Sequence, residues 1–117
     1  MTRSASERIT AAVTAWPGVE KAPHRFGGIE FRIGRRELGH LHGDVLADLP
    51  FPRAIRDELV AAGRVSPHRV LPDSGWVSFR IGSSDDVTTA VELFRLAYDR
   101  ASADRGARAE GLKGSAP

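Results

Sequence analysis

Two short alternating stretches meet at a glycine, and that junction limits this chain more than any other feature. Ile29, Phe31 and Ile33 alternate with Glu30 and Arg32, as a strand with one buried face requires. Gly34-Arg35 follows, a two-residue link with Gly at the first turn position, and Glu37 to His42 then continues as a second extended stretch. The spacing predicts a β-hairpin. An isolated hairpin is barely stable in water, so the rest of the chain must add strands and an apolar cover.

The flanking sequence supplies both. Ser4 and Glu7 have capping-box spacing, and Ile9, Ala12, Val13 and Trp16 recur on one helical face, which predicts a first helix over 5–15. Trp16-Pro17-Gly18 ends it, and Val19 to Ala22 can form a short edge strand before Pro23. After the hairpin, Gly43-Asp44 reads as a turn, 45–47 as a short strand, and Asp48-Leu49-Pro50-Phe51-Pro52 as a break. Pro52 then opens a helix that carries Ile55, Leu59 and Ala62 and stops at Gly63. Strands are predicted at 68–71 and 76–81, joined by Pro72-Asp73-Ser74-Gly75. Ser84 is the expected cap of a last helix, with Asp85 and Asp86 at its positive end and Val87, Ala90, Val91, Phe94, Ala97 and Tyr98 on its apolar face. From Ala103 the periodicity is lost, and a disordered tail over 103–117 is expected. The whole is one α+β domain over 1–102, in the order α-β-β-β-β-α-β-β-α, with an antiparallel sheet and helices packed mainly on one face.

Composition narrows the function classes. A chain of 117 residues is one domain, expected to act as a monomer or small homo-oligomer. Its formal charge of +2 and scattered arginines argue against a nucleic-acid partner. Without cysteine there is no thiolate nucleophile and no thiolate metal ligand, so any metal must use His and carboxylate. No apolar run is long enough for a bilayer and the N-terminus has no apolar signal segment, which leads to the expectation of a soluble, cytoplasmic protein without a membrane partner.

The chemistry concentrates in Glu37-Leu38-Gly39-His40-Leu41-His42-Gly43-Asp44. In an extended strand His40 and His42 project from the same face, together with Leu38. Two imidazoles there can exchange protons near neutral pH or hold a metal ion. Asp44 is the carboxylate expected to orient one of them, or alternatively a turn residue beside Gly43. His68 can approach the pair only if the fold brings it there. Ser74 and Trp76, with Phe79, are candidates for substrate contact, a hydroxyl beside two aromatic walls. No Gly-x-Ser-x-Gly elbow, phosphate-cradling loop, dinucleotide fingerprint or His-Glu-x-x-His helix is present.

Three strings are distinctive in combination: Glu37-Leu38-Gly39-His40-Leu41-His42-Gly43, Asp48-Leu49-Pro50-Phe51-Pro52, and His68-Arg69-Val70-Leu71-Pro72-Asp73-Ser74-Gly75-Trp76-Val77-Ser78-Phe79. With the final helix through Tyr98, they resemble the luciferase-domain family, whose named members are the fungal luciferases, over about Trp16 to Arg100. A looser similarity is to small YjbR-like proteins, treated as binding modules. The luciferase-domain resemblance implies a scaffold able to oxidise a hydroxylated pyrone with molecular oxygen and without an organic cofactor. On that basis the expected function is a small cofactor-independent oxygenase acting on an enolic or phenolic small molecule. His40 or His42 would be the base, Asp44 its orienting group, and His68, Ser74, Trp76 and Phe79 the substrate contacts. The alternatives are a metal-dependent enzyme that holds a divalent ion with His40, His42 and either Asp44 or His68, and a non-enzymatic module that binds a small molecule or a protein.

Overall fold

A computed structural model describes residues 3–24 and 27–114. Helix α1 spans Ala5–Thr14, and the predicted capping box forms: Ser4 Oγ accepts Glu7 N–H at 3.1 Å while Glu7 Oε1 accepts Ser4 N–H at 3.3 Å. The strands are β1 (Val19–Pro23), β2 (Ile29–Ile33), β3 (Arg36–His42), β4 (Leu46–Pro50), β5 (Ser66–Pro67) and β6 (Trp76–Arg80). Helix α2 (Arg53–Ala61) lies between β4 and β5, and α3 (Ser84–Gly114) follows β6. All six strands form one sheet in the order β1-β2-β3-β4-β6-β5, antiparallel throughout. The architecture is the expected α+β one, and the β2–β3 hairpin turns at Gly34-Arg35 with Gly34 at φ 62°.

One face of the sheet is apolar. Phe31, Leu41, Ala47, Leu49 and Val77 bury themselves there together with Ile9 and Val13 of α1 and Ala90, Phe94 and Ala101 of α3. The rings of Phe31 and Phe94 meet edge to face at 5.3 Å, an arrangement worth about 0.5–1.5 kcal/mol beyond its buried area. Tyr98 closes the α3 side with its hydroxyl donating to Pro17 O at 2.7 Å.

Three elements differ from the sequence reading. The segment expected to break at Asp48 instead continues as β4, a central strand, because Asp48 finds partners on the polar face and Leu49 packs into the core. Residues 68–71 are not a strand. Their backbone goes to local bonds, Val70 and Leu71 N–H both donating to His68 Nδ1 at 3.1 Å, and Ser74 N–H donating to Leu71 O at 3.1 Å. Finally, α3 runs on through residues 103–114, the stretch expected to be an unstructured tail; residues 115–117 lie outside the described residues. Arg36 on the hairpin pairs with Asp104 of the extended helix. The cap of α3 is Ser83, whose Oγ accepts Asp86 N–H at 3.3 Å, one residue before the expected Ser84.

The feature that positions the site is a β-bulge. Phe31 is opposite Gly39 and Arg32 is opposite Glu37, so Leu38 is an extra residue in β3. An extra residue shifts the side-chain alternation by one. Leu38 and Leu41, three apart, therefore both enter the core, and Glu37 reaches the same face as His40 and His42. The expectation that Leu38 shares the histidines' face is corrected by this bulge. Gly39 makes it possible at φ 145°, where an added Cβ would lie 2.8 Å from both Asp48 O and the Phe94 ring.

Candidate functional site

The face away from α1 and α3 carries an unbroken polar row. Glu30 (β2), His40 (β3), Asp48 (β4), Ser78 (β6) and Ser66 (β5) stand opposite one another in consecutive strands. Asp48 is its centre and is fully buried, at 0 % exposure. A carboxylate in that position must be compensated or it would protonate.

The compensation is extensive. Ser78 Oγ donates to Asp48 Oδ1 at 2.6 Å. Around Oδ2 stand four nitrogens: His42 Nε2 at 2.9 Å, His40 Nε2 at 3.3 Å, His68 Nε2 at 3.5 Å and Arg69 Nη1 at 3.5 Å. Burial alone would raise the Asp48 pKa, but hydrogen bonds from His40, Ser78 and His42 and the nearby His68 hold it well below the usual carboxylate range.

His40 has a carboxylate at each ring nitrogen, Asp48 at Nε2 and Glu37 at Nδ1, the latter at 2.7 Å. Burial pulls it towards the neutral form, yet the bonds to Asp48 and Glu37 outweigh that and raise its pKa to about 9. The two carboxylates thus favour the protonated ring. His68 is fixed differently. Its Nδ1 accepts the two backbone N–H groups of Val70 and Leu71, so its own proton sits on Nε2 and points to Asp48. His42 donates Nε2–H to Asp48, which leaves the lone pair on Nδ1. At 26 % side-chain exposure it is also the most open of these three rings.

Aromatic packing limits ring rotation. His24 stacks on His40 at 4.0 Å and 13°, His42 meets His40 edge-on at 4.9 Å, and Trp76 lies against His40 at 5.4 Å and His68 at 6.1 Å. His24 in turn reaches Glu30 Oε1 at 3.3 Å, and Arg32 also pairs with Glu30. The hydrogen bond from Arg32 is the main cause that lowers the Glu30 pKa, against burial and with help from His24.

Of the residues singled out from sequence, His40, His42, His68 and Trp76 come together. Asp44, Ser74 and Phe79 do not join them. Asp44 Oδ1 accepts Ser6 N–H at 2.8 Å at the start of α1. Ser74 Oγ donates to Leu71 O at 2.7 Å and accepts Trp76 N–H, as a turn residue does. Phe79 packs with the core, on the other side of the sheet from Ser78. The carboxylate beside the paired imidazoles is Asp48, which sequence reasoning placed in a break. Its signal was there: a lone acid within Leu46-Ala47-Asp48-Leu49, an otherwise apolar run. Glu37, Arg69, Ser78 and His24 were likewise missed as site residues, since the bulge and the sheet order bring them in.

Among the described residues, no helix is long and apolar enough to cross a membrane. No curated protein and no solved structure matches the chain. The model of the luciferase-domain family matches residues 35–97, just over half of the chain, a span that holds β3, β4, β6 and every residue around Asp48 named above except His24 and its partners Glu30 and Arg32. The chain belongs to the luciferase-domain family.

Proposed function

We propose that this luciferase-domain protein is a small oxygenase that acts on an enolic or phenolic compound without an organic cofactor, with the Asp48 cluster as its reaction centre. The observation that carries the reading is the gathering of His40, His42 and His68 Nε2 on one buried carboxylate oxygen. In such an Asp–His pair the carboxylate selects the imidazole tautomer and its orientation. Nδ1 of His42 takes the hydroxyl proton, and the imidazolium of His40 stabilises the resulting oxyanion, as fixed charge in a partly buried site does effectively. That electron-rich anion reacts with molecular oxygen. Trp76 supplies an apolar wall beside His40 for the substrate ring.

Oxygen uptake by the full chain against a panel of hydroxylated pyrones, cyclic enols and phenols tests this. His42→Ala should lower kcat/KM by about 10²–10⁴-fold, the usual contribution of a positioned base, with the fold intact by circular dichroism. Turnover that survives His42→Ala would remove the base. Binding of panel members without any uptake would leave a binding module in place of an enzyme.

A further inference from the structure

Asp48 Oδ2 has more neighbours than a hydrogen-bonded oxygen can use. Four nitrogens surround it within 3.5 Å, whereas one carboxylate oxygen offers about two lone pairs. Three of the four are imidazole Nε2 atoms, two from β3 and one from the loop at His68. Ligands bound about 2.0–2.2 Å from one ion lie on the order of 3 Å apart along the edges of its coordination polyhedron. The separations of 2.9 Å from His42 and 3.3 Å from His40 to Asp48 Oδ2 fall in that range. One ligand atom from each of His40, His42 and Asp48 lies within 4.8 Å of the other two.

The surroundings support the same reading. Metal-bound histidines characteristically pass their other ring N–H to a carboxylate, and His40 Nδ1 has Glu37 at 2.7 Å. The second oxygen of Asp48 is held by Ser78. His68 is excluded as a ligand in this arrangement, because its Nδ1 is spent on two backbone N–H groups and its Nε2 carries the proton. Arg69, with its side chain about half exposed, can withdraw into solvent when another cation enters.

We propose that Nε2 of His40, Nε2 of His42 and Oδ2 of Asp48 form a binding site for a divalent first-row transition-metal ion, with Glu37 and Ser78 as its outer support. Two imidazoles and one carboxylate favour such an ion over magnesium or calcium, and three protein ligands on one side leave positions open for small molecules. The inference rests on reading this cluster as the reaction centre. With an ion in place, His40 and His42 give up their Nε2 protons to ligate it, the substrate hydroxyl's proton leaves to solvent, and the ion's charge takes over from the His40 imidazolium in holding the substrate oxygen as an anion.

Cobalt(II) titrated into untagged, chelator-stripped full chain, followed by calorimetry and visible absorption, tests the site. One ion per chain is expected. Glu37→Gln, which touches no ion, should weaken binding about 10–100-fold, and His42→Ala should abolish saturable binding; unfolding curves of the ion-free variants show that both are folded. No binding, or binding equal in wild type and His42→Ala, overturns the proposal. The two readings fail separately. Chelated protein that keeps full, His42-dependent oxygen uptake overturns the metal site and keeps the enzyme. A stoichiometric, His42-dependent ion with no uptake across the panel keeps the site and overturns the oxygenase.

Discussion

Gly39→Ala probes how the bulge builds both core and site. Gly39 has φ 145°, which an L side chain rarely adopts, and its new methyl would lie 2.8 Å from Asp48 O, 2.8 Å from Phe94 Cε1 and 3.0 Å from Leu49 Cγ. Asp48 O belongs to the backbone of a central strand and Phe94 is fully buried, so neither has room to yield. The strained backbone costs about 1–3 kcal/mol. Overpacking of a filled core adds about 1–3 kcal/mol more. A loss of about 2–6 kcal/mol is a large part of the ~5–15 kcal/mol that holds a domain folded. Urea unfolding measures it. Gly43→Ala is the matched control, since Gly43 sits at φ 57° with open space around it and should lose only about 1–2 kcal/mol. If Gly39→Ala proves no more damaging than Gly43→Ala, the claim that the bulge is pinned between β4 and α3 is wrong.

Other outcomes follow from the same contacts. His40 has a folded pKa of about 9 against an ordinary 6.5, so its pairing stabilises the fold fully below about pH 6.5 and the contribution disappears as pH rises through about 9. An imidazole NMR titration of His40 with a midpoint near 6.5 would contradict this. Asp48 has the opposite sign. Its lowered pKa adds stability above the normal aspartate range that is lost on acidification, and Asp48→Asn should flatten the acid limb of a stability–pH curve. That variant also leaves His40 facing a neutral partner, and a loss of about 3–5 kcal/mol is expected in urea. Tyr98→Phe removes only the 2.7 Å bond to Pro17 O and should cost about 0.5–1.5 kcal/mol with oxygen uptake unchanged.

Local pattern decided a good deal. The alternation around Gly34-Arg35 specified the hairpin, Ser4 and Glu7 specified the start of α1, and the apolar stripe from Val87 to Tyr98 specified the buried face of α3, because each depends on neighbours a few residues away. The histidine pair was legible for the same reason, since alternation in an extended strand needs no knowledge of the rest of the fold. Its carboxylate was not. Asp44 is nearer in sequence, but β4 passes beside β3 and sets Asp48 directly opposite His40. His68 and Ser78 come from farther still, carried in by β6 beside β4 and by a loop that spends its backbone on His68. Glu37 required the bulge, and a one-residue insertion against a partner strand leaves no mark on hydrophobic periodicity until the register is known. Sequence alone therefore determined which side chains could do chemistry near β3, whereas strand order and register chose the carboxylate they share, because a buried charge takes its partners from whatever lies across the sheet rather than along the chain.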